Sequence, residues 1–252
     1  MNRKNFKKII FLIVILLLIS SSIHAEPTFP IPNIDFNVKA AESPQEVALS
    51  LQILFILTVL SLAPSLLIMV TSFTRIIIVL SFTRSAIGTQ QMPPNQVLIG
   101  LALFLTLFIM SPVVTEINET AIKPFTEEKI SQEVAIKNAI EPVRDFMFKY
   151  TREKDLALFL KLGQMDSLMK LEDIPTKVLI PSFIISELKT AFQIGFFLYI
   201  PFLIIDMVVA STLMSMGMMM LPPVMISMPF KILLFIMVDG WNLIVKSLLL
   251  GF

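Results

Sequence analysis

The sequence lacks most of the side chains on which enzymes depend. No cysteine occurs in its 252 residues, which excludes disulfides, thiolate metal sites and cysteine nucleophiles. The one histidine, His24, lies in a segment that we expect to be removed, so a Ser–His–Asp triad and an HExxH zinc site are excluded as well. The sequence also has no GxxxxGK(S/T) phosphate loop. We therefore predict a protein with no enzymatic activity, no cofactor and no bound metal.

Charge is scarce too, and it is unevenly distributed. Charged residues make up 15% of the chain against 56% hydrophobic residues, and the net charge of +1 gives no support for nucleic-acid binding. The mean hydropathy is +0.83. Residues 47–74 and 85–115 carry no charge, whereas residues 118–180 are rich in it. A spanning helix needs roughly 20 mostly apolar residues. We predict an all-α membrane protein in which two hydrophobic blocks, residues 47–117 and 181–252, contain about four long, partly broken helices or hairpins and flank a small helical domain.

Residues 1–25 have the pattern of a cleavable signal peptide. A basic start precedes an apolar run over residues 9–19, and the small residue Ala25 stands where a signal peptidase would cut. The alternative is an uncleaved anchor, because the apolar run can be extended to Ile23. The polar, proline-containing residues 26–46 should form a mobile N-terminus of the mature protein. The basic residues at the start are Arg3, Lys4, Lys7 and Lys8.

Two arginines give an orientation. Residues 71–96 carry Arg75 and Arg84 but no acid, so the positive-inside tendency places this connection in the cytoplasm. The two arginines are nine residues apart, which puts them on opposite faces of a helix, one as a topology anchor and the other as an interaction residue. Residues 118–180 then lie on the periplasmic or exterior side of the membrane.

The least ordinary stretch is MSMGMMMLPP, which starts at Met214. Its proline pair must break the helix, yet no charge lies near it. Non-helical backbone at membrane depth survives only inside protein or beside an aqueous cavity, so we expect this loop to lie inside an assembly. Methionine is flexible enough to close an irregular gap there, although simple apolar filling is the alternative. The methionines are Met214, Met216, Met218, Met219 and Met220.

The C-terminal block contains ionisable residues that apolar surroundings make costly. Glu187 precedes one apolar segment and Lys231 lies within the next, so a helical hairpin can bring the two level with each other, in one chain or between neighbouring copies. The short side chain of Asp206 cannot reach water from its apolar run, which favours a paired or helix-capping carboxylate; a proton relay is the alternative. We expect Asp206, Asp239, Arg75 and Arg84 to be buried structural charges.

Three long stretches of the sequence resemble one known family. PFLIIDMVVASTLMSMGMMMLPPVMISMPFKILLFIMVDGW starts at Pro201, PSFIISELKTAFQIGF starts at Pro181, and the hydrophobic residues 60–106 are similar as well. These motifs resemble the FliP family of flagellar export-gate proteins and its counterparts in virulence type III secretion. Ser182 departs from the alanine expected at that position.

The resemblance implies a pore-forming core subunit of the flagellar type III export gate, located in the inner membrane at the flagellar basal body. Five copies would form a ring with a FliR-like subunit, accompanied by a FliQ-like subunit and further export-gate proteins, and would pass unfolded flagellar proteins. The methionine loop would be the pore gasket, and Glu187 and Lys231 would pair between neighbouring copies. The family's gate sits largely above the bilayer plane. The alternatives are a virulence homologue, an ion-coupled transporter using Asp206, and a structural assembly factor.

The mature protein should begin near Glu26. A signal peptidase recognises the small residue at position 25, so N-terminal sequencing or intact mass of membrane-extracted protein should find residues 1–25 missing. Recovery of those residues on functional complexes would instead establish an uncleaved anchor.

Overall fold

The computed structural model describes residues 44–252 except residue 90, residues 166–169 and residue 219. The predicted signal peptide, most of the predicted mobile N-terminus and Met219 of the predicted gasket lie outside the described residues. The chain divides into two units, Met1–Gln52 and Ile53–Phe252. Except for the first part of one helix, the structure described below belongs to the second unit.

All regular structure in the described residues is helical. A π-helical turn, Asn118–Ile122, joins α3 to α4 without a break, and a single 3₁₀ turn, Leu171–Asp173, precedes α7. The α-helices are α1 (Pro44–Met69), α2 (Phe73–Ile87), α3 (Asn95–Ile117), α4 (Lys123–Thr126), α5 (Gln132–Tyr150), α6 (Glu153–Leu162), α7 (Thr176–Ser215), α8 (Pro223–Met237) and α9 (Gly240–Leu250).

The helices confirm the predicted all-α class with three to four long apolar elements. Three segments are long and apolar enough to cross a membrane: Ser50–Met69, Asn95–Thr126 and Thr176–Ser215. Helices α8 and α9 would together form a fourth, bent by 62° at their junction. Several of these helices contain proline, which membrane helices tolerate where neighbouring groups satisfy the freed carbonyl.

Helix α2 differs from the expected connection between two spans, because it is a core helix of the second unit. It packs against α3 and α7, and Ile76, Val79 and Leu80 are completely buried. Apolar side chains recur along α2 at helical spacing, so the helix has apolar surface for packing against both α3 and α7. We expected this segment to be a connection because it contains two arginines, yet the same segment has the pattern of a core helix.

Helix α7 is continuous over 40 residues and crosses the predicted domain boundary between residues 180 and 181. Pro175 directly precedes its first residue, Thr176, and Pro181 lies in its second turn. A proline there removes one main-chain hydrogen bond but does not end the helix. The predicted charge-rich domain and the predicted C-terminal apolar block are therefore joined by one continuous helix, α7.

Two buried polar clusters fasten α5 and α6 to α7. The guanidinium of Arg144 in α5 donates to Thr176 Oγ1 at 2.6 Å and to the carbonyl oxygen of Ile174 at 2.8 Å. The Asp155 carboxylate in α6 accepts from Ser186 Oγ at 2.9 Å and pairs with Lys189. Burial tends to raise the pKa of Asp155, but the hydrogen bonds from Lys189 and Ser186 and nearby positive charge outweigh it, so the pKa is lowered. The carboxylate is therefore charged at neutral pH.

A close approach between α2 and α7 generates a test of this packing. A Cβ atom on Gly195 would stand 2.6 Å from Phe82 Cγ, so Gly195→Ala should push the two helices apart. Although alanine favours helix over glycine, we expect a net loss of about 1–3 kcal/mol, as in other overpacked cores. Thermal unfolding of the detergent-purified protein measures it.

Gly100→Ala is the matched control, because Gly100 lies inside α3 with no atom within 4 Å of an added Cβ. Its stability should be unchanged or raised by up to about 1 kcal/mol. Equal losses in the two variants would contradict the close packing of α2 on α7.

Candidate functional site

A buried ion pair joins α2 to α7. Arg75 Nε donates to Glu187 Oε2 at 2.8 Å and Arg75 Nη2 donates to Glu187 Oε1 at 2.5 Å. Glu187 has no exposed surface and Arg75 is 4% exposed. This fork-to-fork geometry is the strongest form of a carboxylate–guanidinium contact. A polar link of this kind, between positions 112 residues apart, fixes how the two helices dock.

The same guanidinium also holds the last residues of the sequence. Arg75 Nη1 donates to the carbonyl oxygen of Gly251 at 2.9 Å, and its Cζ lies 3.8 Å from the ring centroid of Phe252. The Tyr150 ring is 5.3 Å from the same Cζ, and its hydroxyl donates to the Phe252 carbonyl oxygen. Arg75 is therefore a junction of α2, α5, α7 and the segment that follows α9.

A second buried group of polar side chains lies between α7 and α8. Lys231 Nζ is 2.6 Å from Asp206 Oδ2, and Ser227 Oγ donates to Asp206 Oδ1 at 2.5 Å. Lys231 is only 1% exposed. Asp206 is thus paired with a lysine and a serine from the next helix, as a paired structural carboxylate would be.

The structure does not bring Glu187 and Lys231 together within one chain. Glu187 has Arg75 as its partner, and Lys231 has Asp206. Pairing of Glu187 with Lys231 between copies would require both to exchange their partners, and it stays a prediction of the family resemblance.

The remaining predicted structural charges have different environments. Arg84 is half-buried at the end of α2, where its Nη1 donates to Asn95 Oδ1 at 2.6 Å and to the Pro93 carbonyl oxygen at 3.2 Å. Asp239 is exposed at the bend between α8 and α9, so this chain alone does not bury it. Because Arg75 is buried in an ion pair, the charge-based orientation depends on Arg84 alone.

The methionine loop lies at the tip of the hairpin formed by α7 and α8. The main-chain N–H groups of Gly217 and Met218 donate to the carbonyl oxygens of Met214 and Leu213 at 3.0 and 2.9 Å. Gly217 has a φ of +76°, which a side chain would disfavour. These contacts close the end of α7 as a compact turn.

The loop methionines project away from the chain's own core. Met220 is 99% exposed and Met218 is 44% exposed. Met214 and Met216, on the approach to the turn, are exposed as well. Within the described residues, then, these side chains do not fill the interior of this chain, which is what the alternative of simple core filling requires.

The sequence identified several of the buried charged residues but not which of them pair with each other. Glu187 and Asp206 were both singled out, but their partners Arg75 and Lys231 depend on how distant segments dock. Ser227 and the Asp155 cluster were missed because serine and surface-type charges in helices carry no distinctive pattern. Among the described residues, no group of three or more His, Asp and Glu side chains is arranged to hold a metal ion.

Comparison with known proteins extends the resemblance to most of the chain. The model of the FliP family matches residues 56–248. The chain is 62% identical over 216 residues to the flagellar biosynthetic protein FliP of Bacillus subtilis (strain 168), covering 86% of this chain and 98% of that relative. It is 57% identical to the protein of the same name from Pectobacterium carotovorum subsp. carotovorum, covering 82% of this chain and 81% of the relative. A third relative so named, from Treponema pallidum (strain Nichols), is 49% identical over 92% of this chain and 87% of its own length.

The buried pair predicts a strongly asymmetric response to mutation. Arg75→Leu leaves the Glu187 carboxylate buried without its partner, which typically costs about 3–5 kcal/mol. Replacing both residues with leucine should cost less than the single change, because no charge stays unpaired. Complex yield and thermal unfolding in detergent measure both effects. Glu127→Ala is the control, since it breaks the exposed Glu127–Lys129 pair and should change stability by less than about 1 kcal/mol.

Charge exchange separates pairing within a chain from pairing between copies. Arg75→Glu combined with Glu187→Arg should recover part of the yield lost in either single variant. If Glu187 instead pairs with Lys231 of a neighbouring copy, as the family resemblance implies, Glu187→Lys combined with Lys231→Glu should recover part of the yield. Recovery by the second combination, and not by the first, would show that Glu187 pairs with Lys231 of a neighbouring copy.

Proposed function

The chain belongs to the FliP family, and from this premise we propose that it is a pore-forming core subunit of the flagellar type III protein export gate. In this role it passes unfolded flagellar proteins across the inner membrane, and its methionine loop acts as the gasket. The extent of the family match and the flagellar names of relatives at 49–62% identity support the flagellar role over a virulence homologue.

The observation that carries the gasket is the exposure of an apolar, uncharged turn. Met220 is 99% exposed at the tip of a hairpin, and no charge occurs between Asp206 and Lys231. A polar turn would be stable in water, but this one needs apolar surroundings. Several copies that meet at one axis provide those surroundings, and flexible thioethers can then close an opening of variable width.

Assembly with other subunits follows from the apolar surface of the chain. Large apolar side chains are exposed along the long helices, far beyond what a soluble monomer tolerates. Lipid and partner subunits would cover them: other copies of this chain, five by family resemblance, and FliR-like and FliQ-like proteins of the gate. Examples are Phe104 and Phe108 on α3, Phe196 and Phe197 on α7, and Ile236 on α8.

The proposed location is the bacterial inner membrane at the flagellar basal body. Three to four helices have the length and composition of spans, and residues 118–180 would face the periplasm after the signal peptide is removed. An ion-coupled transporter using Asp206 is less well supported, because Lys231 and Ser227 both bind that carboxylate.

Replacing Met218, Met219 and Met220 with alanine should leave the complex assembled but leaky. The change removes volume at the axis without adding polarity, and the described side chains Met218 and Met220 are not core residues of the chain. Conductance of the complex in planar bilayers and complex yield, measured on the same variant, should show raised leakage at near-normal yield.

Met237→Ala is the matched control, because Met237 is also exposed but lies at the end of α8, away from the loop. It should not leak. Buried methionines would cost about 2–5 kcal/mol each on truncation, so a low yield of the triple variant with no leak from the surviving complexes would refute the gasket.

A further inference from the structure

A large apolar cavity lies between the α2–α3 connection and helices α8 and α9. Its volume is about 580 Å³, within the range of small-molecule sites. Its lining is almost entirely apolar and comes from three separate segments of the chain. The residues that define its walls are Met92, Val97, Leu101, Ile232, Phe235 and Trp241.

A smaller polar cavity shares a lining residue with this apolar one. It is lined by Arg84, Gln91, Pro94 and Asn95, with a volume of about 370 Å³. Pro94 lines both cavities, so a polar recess and an apolar recess meet at one residue. Together they form a site with a cationic end and an apolar body.

Arg84 has hydrogen-bonding capacity left at this site. Its Nη1 donates to Asn95 Oδ1 and to the Pro93 carbonyl oxygen, which orients the guanidinium. In the described part of the chain, Nε and Nη2 have no hydrogen-bond acceptor and no carboxylate forms an ion pair with Arg84. A cation held in place by two acceptors, with donors still available, suits an anionic group.

The depth of the site also matters. The apolar segment Asn95–Thr126, which can span a membrane, begins at Asn95, and Asn95 lines the polar recess. Where this segment enters a bilayer, its first residues are the ones that meet the lipid headgroups. The apolar recess extends from there along the start of α3, as an acyl chain would run from its headgroup.

From these observations we propose that this composite cavity binds an anionic phospholipid. The phosphate lies against Arg84, with Asn95 and Gln91 beside it, and an acyl chain fills the apolar recess against Trp241 and Phe235. The binding site belongs to the single chain and does not depend on the proposed export role.

The test uses the full chain, purified in detergent and reconstituted in nanodiscs of phosphatidylglycerol and phosphatidylcholine with identical acyl chains. Native mass spectrometry after partial delipidation should show phosphatidylglycerol retained in preference to phosphatidylcholine. Arg84→Gln should reduce phosphatidylglycerol retention by roughly tenfold or more, as expected for the loss of a charged hydrogen-bond donor. Lys246→Gln, which removes an equal charge from an exposed position on α9, should change nothing.

A second variant tests the apolar recess independently. Val97 lines the cavity and its side chain is largely exposed, so Val97→Trp should fill the recess without disturbing the core. Retention of both lipids should then fall while assembly is preserved. If Arg84→Gln does not fold, because it also loses the contacts to Asn95 and Pro93, Arg84→Lys replaces it and should keep the preference for phosphatidylglycerol.

Four results would overturn the proposal. The first is equal retention of the two lipids by the unchanged protein. The second is phosphatidylglycerol retention unaffected by Val97→Trp, and the third is displacement of the lipid by inorganic phosphate alone, which would indicate a simple anion site. Loss of a protein subunit from the complex, with lipid retention unchanged in the Arg84→Gln variant, would show that a protein partner covers the cavity instead.

Discussion

A guanidinium group remains buried only where acceptors surround it, and Arg75 meets this condition by gathering four parts of the chain. Glu187 supplies two acceptors from α7, the Gly251 carbonyl supplies a third, and the rings of Tyr150 and Phe252 cover the flat face of the group. Because an unpaired charge at this position would be severely destabilising, α2 docks on α7 in one register. The positions of α5 and of the residues after α9 depend on that same contact.

The sequence was most informative where the pattern is local. Residues 47–74 and 85–115 carry no charge, and each run contains most of a long helix. An uncharged apolar run of this length can be recognised from its own residues, without knowing which segments it packs against. The turn at Gly217 and the proline pair after it could likewise be predicted from composition. The exposure of Met220 fits a loop that has apolar surroundings outside its own chain.

Partner choice was beyond the sequence. Within the chain Glu187 binds Arg75 and Lys231 binds Asp206. Contact between residues 112 positions apart is set by helix docking rather than by sequence spacing, and the predicted pairing of Glu187 with Lys231 between copies stays a prediction. The central position of α2 was missed for a related reason. The two arginines favoured a cytoplasmic connection between two spans, whereas the apolar stripe through Ile76, Val79 and Leu80 makes this segment a core helix. In this segment the charge of the arginines favours exposure and the apolar spacing predicts burial. The helix is buried because Glu187 neutralises the charge of Arg75.

The unbroken length of α7 limits how the protein can sit in a bilayer. At about 1.5 Å of rise per residue, its 40 residues extend for about 60 Å, whereas the hydrocarbon layer is only about 30 Å thick. No upright placement can immerse the whole helix, so about half its length must project into headgroups, water or neighbouring protein. Arg144 and Asp155 contact the N-terminal part of α7, and the methionine turn follows its last residue, Ser215. These contacts and the methionine turn are therefore separated, along the helix, by at least the thickness of one leaflet of the bilayer.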